Sequence, residues 1–332
     1  MQERYLAVTA AAIVLGVAGV TPAVAHASHE VHNSPAGHDS HSGQAGHDAH
    51  GASGSTADAA TFTKPSGGRA LTFAAHLSGA NEVPVAGGPA VNDPDGKALA
   101  LVKVKGDRVT FALQWKGFTP SLGHIHEGAS GKNGAVKVPL FGTAMPDSVT
   151  SAAGQVALTD AKLADSIRKN PSGFYVNLHS AEFPGGAVRG QLTPLHKNIN
   201  PLDIIKGGKL RALSNGDQEV PKNDASKVGD PDGHAVTFLQ PKGTSVGYSL
   251  AWINIKAPTN GHIHKGRFGK NGDIVFTFFN RPVPDGIFAV SGKFEGQNAD
   301  VVERVRATPH NYYSNIHTSE FPDGALRGQL FH

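Results

Sequence analysis

The sequence is written twice. Residues 123–134 read GHIHEGASGKNG and residues 261–272 read GHIHKGRFGKNG; residues 174–192 read FYVNLHSAEFPGGAVRGQL and residues 312–330 read YYSNIHTSEFPDGALRGQL. Both blocks are offset by 138 residues. Upstream, GANEVP (79–84) answers GDQEVP (216–221), DPDGKA (93–98) answers DPDGHA (230–235), and Trp115 answers Trp252 at an offset of 137. One residue is therefore gained between Trp252 and Gly261. A unit of roughly 125 residues has the size of a domain, and it is too long for a solenoid module of about 20–50. The chain is expected to hold two like domains, residues 70–195 and 209–332, joined by a linker at 196–208 (HKNINPLDIIKGG).

Within each unit the dominant hydrophobic period is two, the period of a strand with one face buried. Residues 70–77, 98–104 and 109–115 read as strands, with a turn at Lys105-Gly106-Asp107-Arg108 joining the last two. Residues 122–126 and 135–141 flank Gly131-Lys132-Asn133-Gly134, whose Asn-Gly step tolerates positive φ and favours a hairpin. Residues 174–179 and 187–192 close the unit around Pro184-Gly185-Gly186. One helix is expected per unit, over Ala161–Lys169 and Ala299–Arg306, with Asp160 and Asn298 as N-caps and Pro171 and Pro309 beyond the ends. The 41 Gly and 21 Pro suit many short strands joined by turns. The expected class is all-β: two tandem Greek-key-type antiparallel β-sandwich domains, each with one short helix, behind a disordered N-terminal tail.

Residues 5–20 (YLAVTAAAIVLGVAGV) form an apolar run after Arg4, and Ala23-Val24-Ala25 offers a small-x-small cleavage site. Residues 1–25 thus read as a signal peptide, with cleavage after Ala27 or retention as an anchor as alternatives. The run falls short of the roughly 20 residues of a membrane span, so no span is expected in the mature chain. The expected location is secreted or periplasmic, in the cell envelope. Residues 26–69 are a His-rich segment; seven of the 18 histidines fall within 26–50. Its apolar content is too low to offset chain entropy, so disorder is expected. Such a tract can collect Zn, Cu or Ni, or it can serve as a solvated spacer.

The net charge of +3 comes without a basic stripe interleaved with aromatics, so nucleic acid is not an expected partner. Cysteine is absent, which leaves His, Asp and Glu as the strong metal ligands. On a strand, His124 and His126 share a face, their Cα atoms about 6.5 Å apart, while Ile125 points to the core. Tyr175, Asn177 and His179 align on one face of the later strand. If the two strands are neighbours, His124, His126 and His179 form a three-His metal site, and His262, His264 and His317 form its twin. The alternative is a hydrogen-bonded polar network with a purely structural role. Glu182 and Glu320 are possible fourth ligands, as is water. Arg189 and Arg327 suit a structural ion pair with Glu82 and Glu219, or with Glu182 and Glu320. Asp93-Pro-Asp95-Gly and Asp230-Pro-Asp232-Gly read as turns, since they lack the longer oxygen-ligand run of a calcium loop. No nucleophile–base motif and no phosphate loop is present.

Gly-His-Ile-His-x-Gly, then Gly-x-Asn-Gly, Asn-x-His and Arg-Gly-Gln-Leu, with LSGANEVP (77–84) upstream, resemble the CHRD (chordin) domain family in both repeats. The resemblance implies a β-rich domain found in exported bacterial proteins and in an extracellular antagonist of growth factors. The strand-borne His-x-His with a later strand His is also similar to the copper ligands of copper–zinc superoxide dismutases, with His124, His126 and His179 in the matching places. No His lies between 126 and 179 to act as their bridging ligand. The expected function is binding of copper or zinc in each domain, with the tail assisting capture. The alternatives are a dismutase-like copper redox enzyme, and a module that binds an envelope or extracellular protein through a sandwich whose histidines are structural.

Overall fold

The computed structural model describes residues 69–158, 160–196, 200–204 and 207–332. The expected export signal and nearly all of the His-rich segment lie outside the described residues. The first repeat contains β1 (Leu71–Ser78), β2 (Lys97–Lys105), β3 (Arg108–Lys116), β4 (Leu122–Glu127), β5 (Val136–Phe141), β6 (Val149–Ala157), α1 (Ala161–Lys169), β7 (Phe174–His179), β8 (Val188–Gln191) and β9 (Thr193–Leu195). The second contains β10 (Leu210–Asn215), β11 (His234–Lys242), β12 (Ser245–Ile253), β13 (Asn260–Lys265), β14 (Ile274–Phe279), β15 (Ile287–Phe294), α2 (Ala299–Ala307), β16 (Tyr312–His317) and β17 (Leu326–Phe331).

Alternation builds these strands as expected. In β2 the side chains of Ala98, Ala100, Val102 and Val104 are buried while Lys97 and Lys105 are exposed. Both helices start at the expected caps: the Asp160 carboxylate accepts from the Lys162 amide, and the Asn298 side-chain oxygen accepts from the amides of Asp300 and Val301. Ile167, Val302 and Val305 turn inward from them.

Each repeat is an antiparallel sandwich. One layer of the first repeat runs β6-β3-β2-β1 and the other β8-β7-β4-β5, with β1 also pairing with β9 and meeting β8 at Ser78–Arg189. The second repeats this as β15-β12-β11-β10 and β17-β16-β13-β14. The fold class read from the sequence is the one observed.

Strands β6 and β15 were not among the expected strands. They are also the strands that join the repeats. They pair with each other antiparallel, Ser151 opposite Ser291, Ala152 opposite Val290 and Ala153 opposite Ala289, so one sheet runs through both repeats. Ala152 sits opposite Leu113 in β3, and Val290 sits opposite the matching Leu250 in β12. Equivalent residues therefore face each other, and the junction has local two-fold symmetry of the kind found where like subunits meet. The linker breaks this symmetry. Its 3-10 turn, Pro201–Ile204, lays Leu202 on the outer face of the joined sheet against Ala112, Ala153, Phe288 and Ala289.

Candidate metal centre

Register brings the histidines together. Strand β4 pairs with β7 so that His126 faces Tyr175, His124 faces Asn177 and Leu122 faces His179. Ile125, Val176 and Leu178 fill the core on the other side of the sheet, which fixes the polar face outward. The ligand nitrogens of His124, His126 and His179 all lie within 4.8 Å of one another, and so do those of His262, His264 and His317. Glu182 and Glu320 are exposed in the loops that follow, and neither belongs to the clusters.

The backbone sets the tautomers. His126 Nδ1 lies 2.9 Å from the Gly134 carbonyl, and His179 Nδ1 lies 2.9 Å from the Pro184 carbonyl. A carbonyl only accepts, so each Nδ1 carries a hydrogen, and a neutral ring then has its lone pair on Nε2. His264 and His317 are held identically, by Gly272 and Pro322. The first of these locks depends on glycine. A Cβ on Gly134 would stand 1.6 Å from the Glu127 carbonyl oxygen, and one on Gly272 would stand 1.7 Å from that of Lys265. Only a residue without a side chain brings that carbonyl over the ring.

Tyr175 stacks on the His126 ring, centroids 4.8 Å apart and planes 9° from parallel, and the Arg189 guanidinium lies 3.4 Å from the Tyr175 centroid. His264, Tyr313 and Arg327 repeat the stack at 4.9 Å and 3.6 Å. Both arginines are almost fully buried, at 1% exposure. The expected ion pairs are not formed, because the guanidiniums are already spent. Arg189 donates to the carbonyls of Ala129 and Lys132 and to Asn133 Oδ1, and Arg327 to those of Arg267 and Lys270 and to Asn271 Oδ1. None of the ion pairs among the described residues involves either arginine. Each arginine instead ties down the loop between the His-x-His strand and its hairpin partner.

Glu82 and Glu219 pair with asparagines instead. Asn177 donates to Glu82 at 3.3 Å, and Asn315 donates to Glu219 at 2.6 Å. Burial raises both carboxyls to about 7, against the lowering effect of the asparagine hydrogen bonds and of the Arg189 and Arg327 charges. Over the first cluster lies a cleft of about 190 Å³, walled by Val83, Val85, Pro89 and Val91 from the β1–β2 loop and floored by His126, Tyr175, Asn177 and His179. Asp93 anchors that loop as a turn, its Oδ1 accepting from the amides of Asp95 and Gly96. The carbonyl locks, the Arg–Tyr–His stack and the Glu82–Asn177 pair were not foreseen. Their signal was present in the doubling of Gly134, Pro184 and Arg189 as Gly272, Pro322 and Arg327.

The family model for the CHRD domain matches residues 73–192 and again residues 210–330. The chain belongs to the CHRD family. Both His clusters fall inside the matched stretches. No curated protein and no solved structure matches the chain.

The donor set of each CHRD repeat fits a metal ion. His124 Nδ1 lies 3.3 Å from His179 Nε2, and His262 Nδ1 lies 3.4 Å from His317 Nε2. Two nitrogens bound at about 2.0–2.1 Å to one tetrahedral ion stand roughly 3.3–3.4 Å apart. Two ring lone pairs can face each other at this range only with a proton or a cation between them. In the second CHRD repeat the buried Nε2 of His264 has no hydrogen-bond partner, as a ligand atom waiting for an ion would. Burial, with the neighbouring His317 and His264, pushes His262 down to about 4, and burial lowers His264 and His317. Neutral imidazoles at neutral pH are the form that binds metal.

Proposed function

We propose that each CHRD repeat binds one transition-metal ion, copper or zinc, through its three histidines. The reading rests on one observation above all: the pair of ring nitrogens in each cluster stands at the spacing that a tetrahedral ion imposes. The backbone carbonyls of Gly134 and Pro184, and of Gly272 and Pro322, hold two rings of each trio with the lone pair on Nε2. His124 and His262 offer Nδ1. Such outer hydrogen bonds orient ligands and raise their basicity. Three ligands leave one coordination position for a solvent molecule or a small ligand. Bound copper would supply one-electron chemistry, and bound zinc would supply Lewis acidity. The His-rich segment upstream would raise the local concentration of the same ion, and the N-terminal apolar run would direct the chain out of the cytoplasm.

Metal counting tests this on the full-length protein. After stripping with a chelator, reloading and desalting, the wild type should retain two ions more than the double variant His124→Ala/His262→Ala, with the tail histidines common to both. Equal counts would reduce the trios to structural networks and favour a module that recognises an extracellular or envelope protein. Superoxide turnover by the copper-loaded wild type, absent from the double variant, would favour the redox enzyme.

A further inference from the structure

Where the repeats join, the outer face of the shared sheet carries two cross-strand rows of matching position and unlike chemistry. One row is Ala112, Ala153, Ala289 and Ala251, and Leu202 of the linker packs on it. The other is Gln114, Ser151, Ser291 and Ser249, and Phe238 of β11 continues it. The local two-fold exchanges Ala289 with Ser151, Ala153 with Ser291, Ala112 with Ser249 and Ala251 with Gln114. The polar row floors a cleft of about 220 Å³. Ser151 is 1% exposed and Ser291 8%, and both line this cleft. Among the described residues no hydrogen bond uses either hydroxyl; Ser291 takes part only through its carbonyl, which accepts from Thr150 Oγ1 at 3.5 Å. A buried hydroxyl with no partner inside the protein calls for one from outside it.

We infer that this cleft is a binding site for a small neutral polyol, the size of one sugar ring. The inference is independent of the metal reading. The cleft is smaller than the roughly 300–1,000 Å³ of pockets that take drug-sized molecules, so its ligand is small. No carboxylate lines it, and Lys293 on its rim is spent on Glu295 at 2.5 Å, so the cleft presents no unpaired charge. It offers groups that both donate and accept: the hydroxyls of Ser151 and Ser291, and the amide of Gln114 at the exposed end of the row. Gln240 gives an N–H to the Gly207 carbonyl at 2.6 Å and keeps its side-chain oxygen as an acceptor. The hydroxyls of a sugar donate and accept in the same way. Half-buried Phe238 supplies an apolar wall for the C–H face of such a ring. Strands β6 and β15, which carry the two serines, are paired on both sides, so the floor is formed before any ligand arrives.

Saturation-transfer NMR on the full-length protein tests this, with methyl α-glucoside, N-acetylglucosamine, myo-inositol and glucuronate as probes. At least one neutral probe should bind saturably, and glucuronate should bind no more tightly than methyl α-glucoside. Ser151→Ala/Ser291→Ala copies the alanines of the companion row, so its urea midpoint should match the wild type's. It should weaken binding about tenfold, as the loss of two ordinary hydrogen bonds implies. Gln114→Ala, at an exposed position, should weaken binding less and leaves the buried floor intact. His124→Ala/His262→Ala should bind the sugar as the wild type does, which separates this cleft from the trios. No saturable binding by any neutral probe, or tighter binding of glucuronate, would overturn the inference. So would binding that survives the loss of both hydroxyls, or binding lost with the trio histidines.

Discussion

In the first repeat the facing ring nitrogens of His124 and His179 are 3.3 Å apart; in the second those of His262 and His317 are 3.4 Å apart. A few residues away, Val85, Pro89 and Gly185 have become Lys222, Ser226 and Asp323. Everything that fixes a ring is the same in both copies, and much of what covers the rings is different. The reason is physical. The rings are held by backbone carbonyls, by a stacked tyrosine and by a buried arginine with three hydrogen bonds to one loop, so a change in the arginine strands buried polar groups. The cover faces solvent, where a substitution costs a few tenths of a kcal/mol. A duplicated chain can therefore hold one histidine arrangement twice while its cover varies.

The buried arginines give the sharpest test of the equivalence. Arg189→Met removes three hydrogen bonds to the 129–133 loop and strands their acceptors, and Arg327→Met does the same to 267–271. Each should cost about 3–5 kcal/mol in urea unfolding of the metal-free protein. A cost in one repeat and none in the other would show that the shared geometry hides unequal energetics.

A smaller loss is expected where the repeats join. Gly154 and Gly292 are equivalent positions in β6 and β15. A Cβ on Gly154 would meet Phe111 Cζ at 2.4 Å and the Gly286 carbonyl oxygen at 2.6 Å; one on Gly292 would meet the Ser148 carbonyl oxygen at 1.9 Å. Gly154→Val and Gly292→Val should each cost about 1–3 kcal/mol by overpacking. Amide exchange should speed up in both strands whichever glycine is changed. Faster exchange in the mutated repeat alone would mean that the shared sheet does not couple the two halves.

The same glycines explain what the sequence concealed. Strand β2 was legible because buried apolar side chains recur at every second position, as Ala98, Ala100, Val102 and Val104 do, and the strands around the Asn133-Gly134 and Pro184-Gly185-Gly186 turns were legible from those turns. Strand β6 reads VTSAAGQVA, and its centre is Ala, Ala and Gly because a neighbouring strand and its turn press against it. Small residues have low β-propensity, so the requirement for close approach erased the signal that marks a strand. Three of the site's parts, the His-x-His, the Asn-x-His and their common face, followed from period two. The roles of Arg189 and Glu82 did not, because pairing a cation with an anion is a rule about charge, and burial decided otherwise. The Arg189 guanidinium found carbonyls within reach, and Glu82 sits where burial favours its neutral form.

That neutral form makes a pH prediction. Glu219 is raised from an ordinary 4.5 to about 7 by burial. Between those values the native state holds a proton that the unfolded chain has lost. The stability tied to this group is thus fully present below about pH 4.5 and lost as pH rises through about 7. Glu219→Gln should remove that decline, flattening the unfolding free energy of the metal-free protein between pH 5 and 8 by roughly 1–2 kcal/mol once solvent screening is allowed for. Glu82→Gln should act likewise in the first repeat. The lowered His262 works the other way, adding stability as pH rises from about 4 to 6.5, so the profile of the double variant Glu82→Gln/Glu219→Gln should rise and then stay level. A double variant that keeps the wild-type slope from pH 5 to 8 would place both carboxyls in water.

The mildest change bears on which part of the tyrosine matters. Tyr175 Oη accepts one long bond, 3.3 Å, from the Gly134 amide, and Tyr313 Oη accepts the same bond from Gly272. The ring does more, because one face carries the His126 imidazole and the other the Arg189 guanidinium. Tyr175→Phe keeps both faces and should cost about 0.5–1 kcal/mol, with metal affinity nearly unchanged. Tyr175→Leu loses the flat surface on which both neighbours rest, so it should cost more and weaken metal binding through a misaligned His126. The Tyr313 pair of variants should follow the same order. If Phe proved as damaging as Leu in either repeat, the hydroxyl's hold on the Gly134 or Gly272 amide would outweigh the stack, and the loop hydrogen bond would be what keeps the ring of His126 or His264 in place.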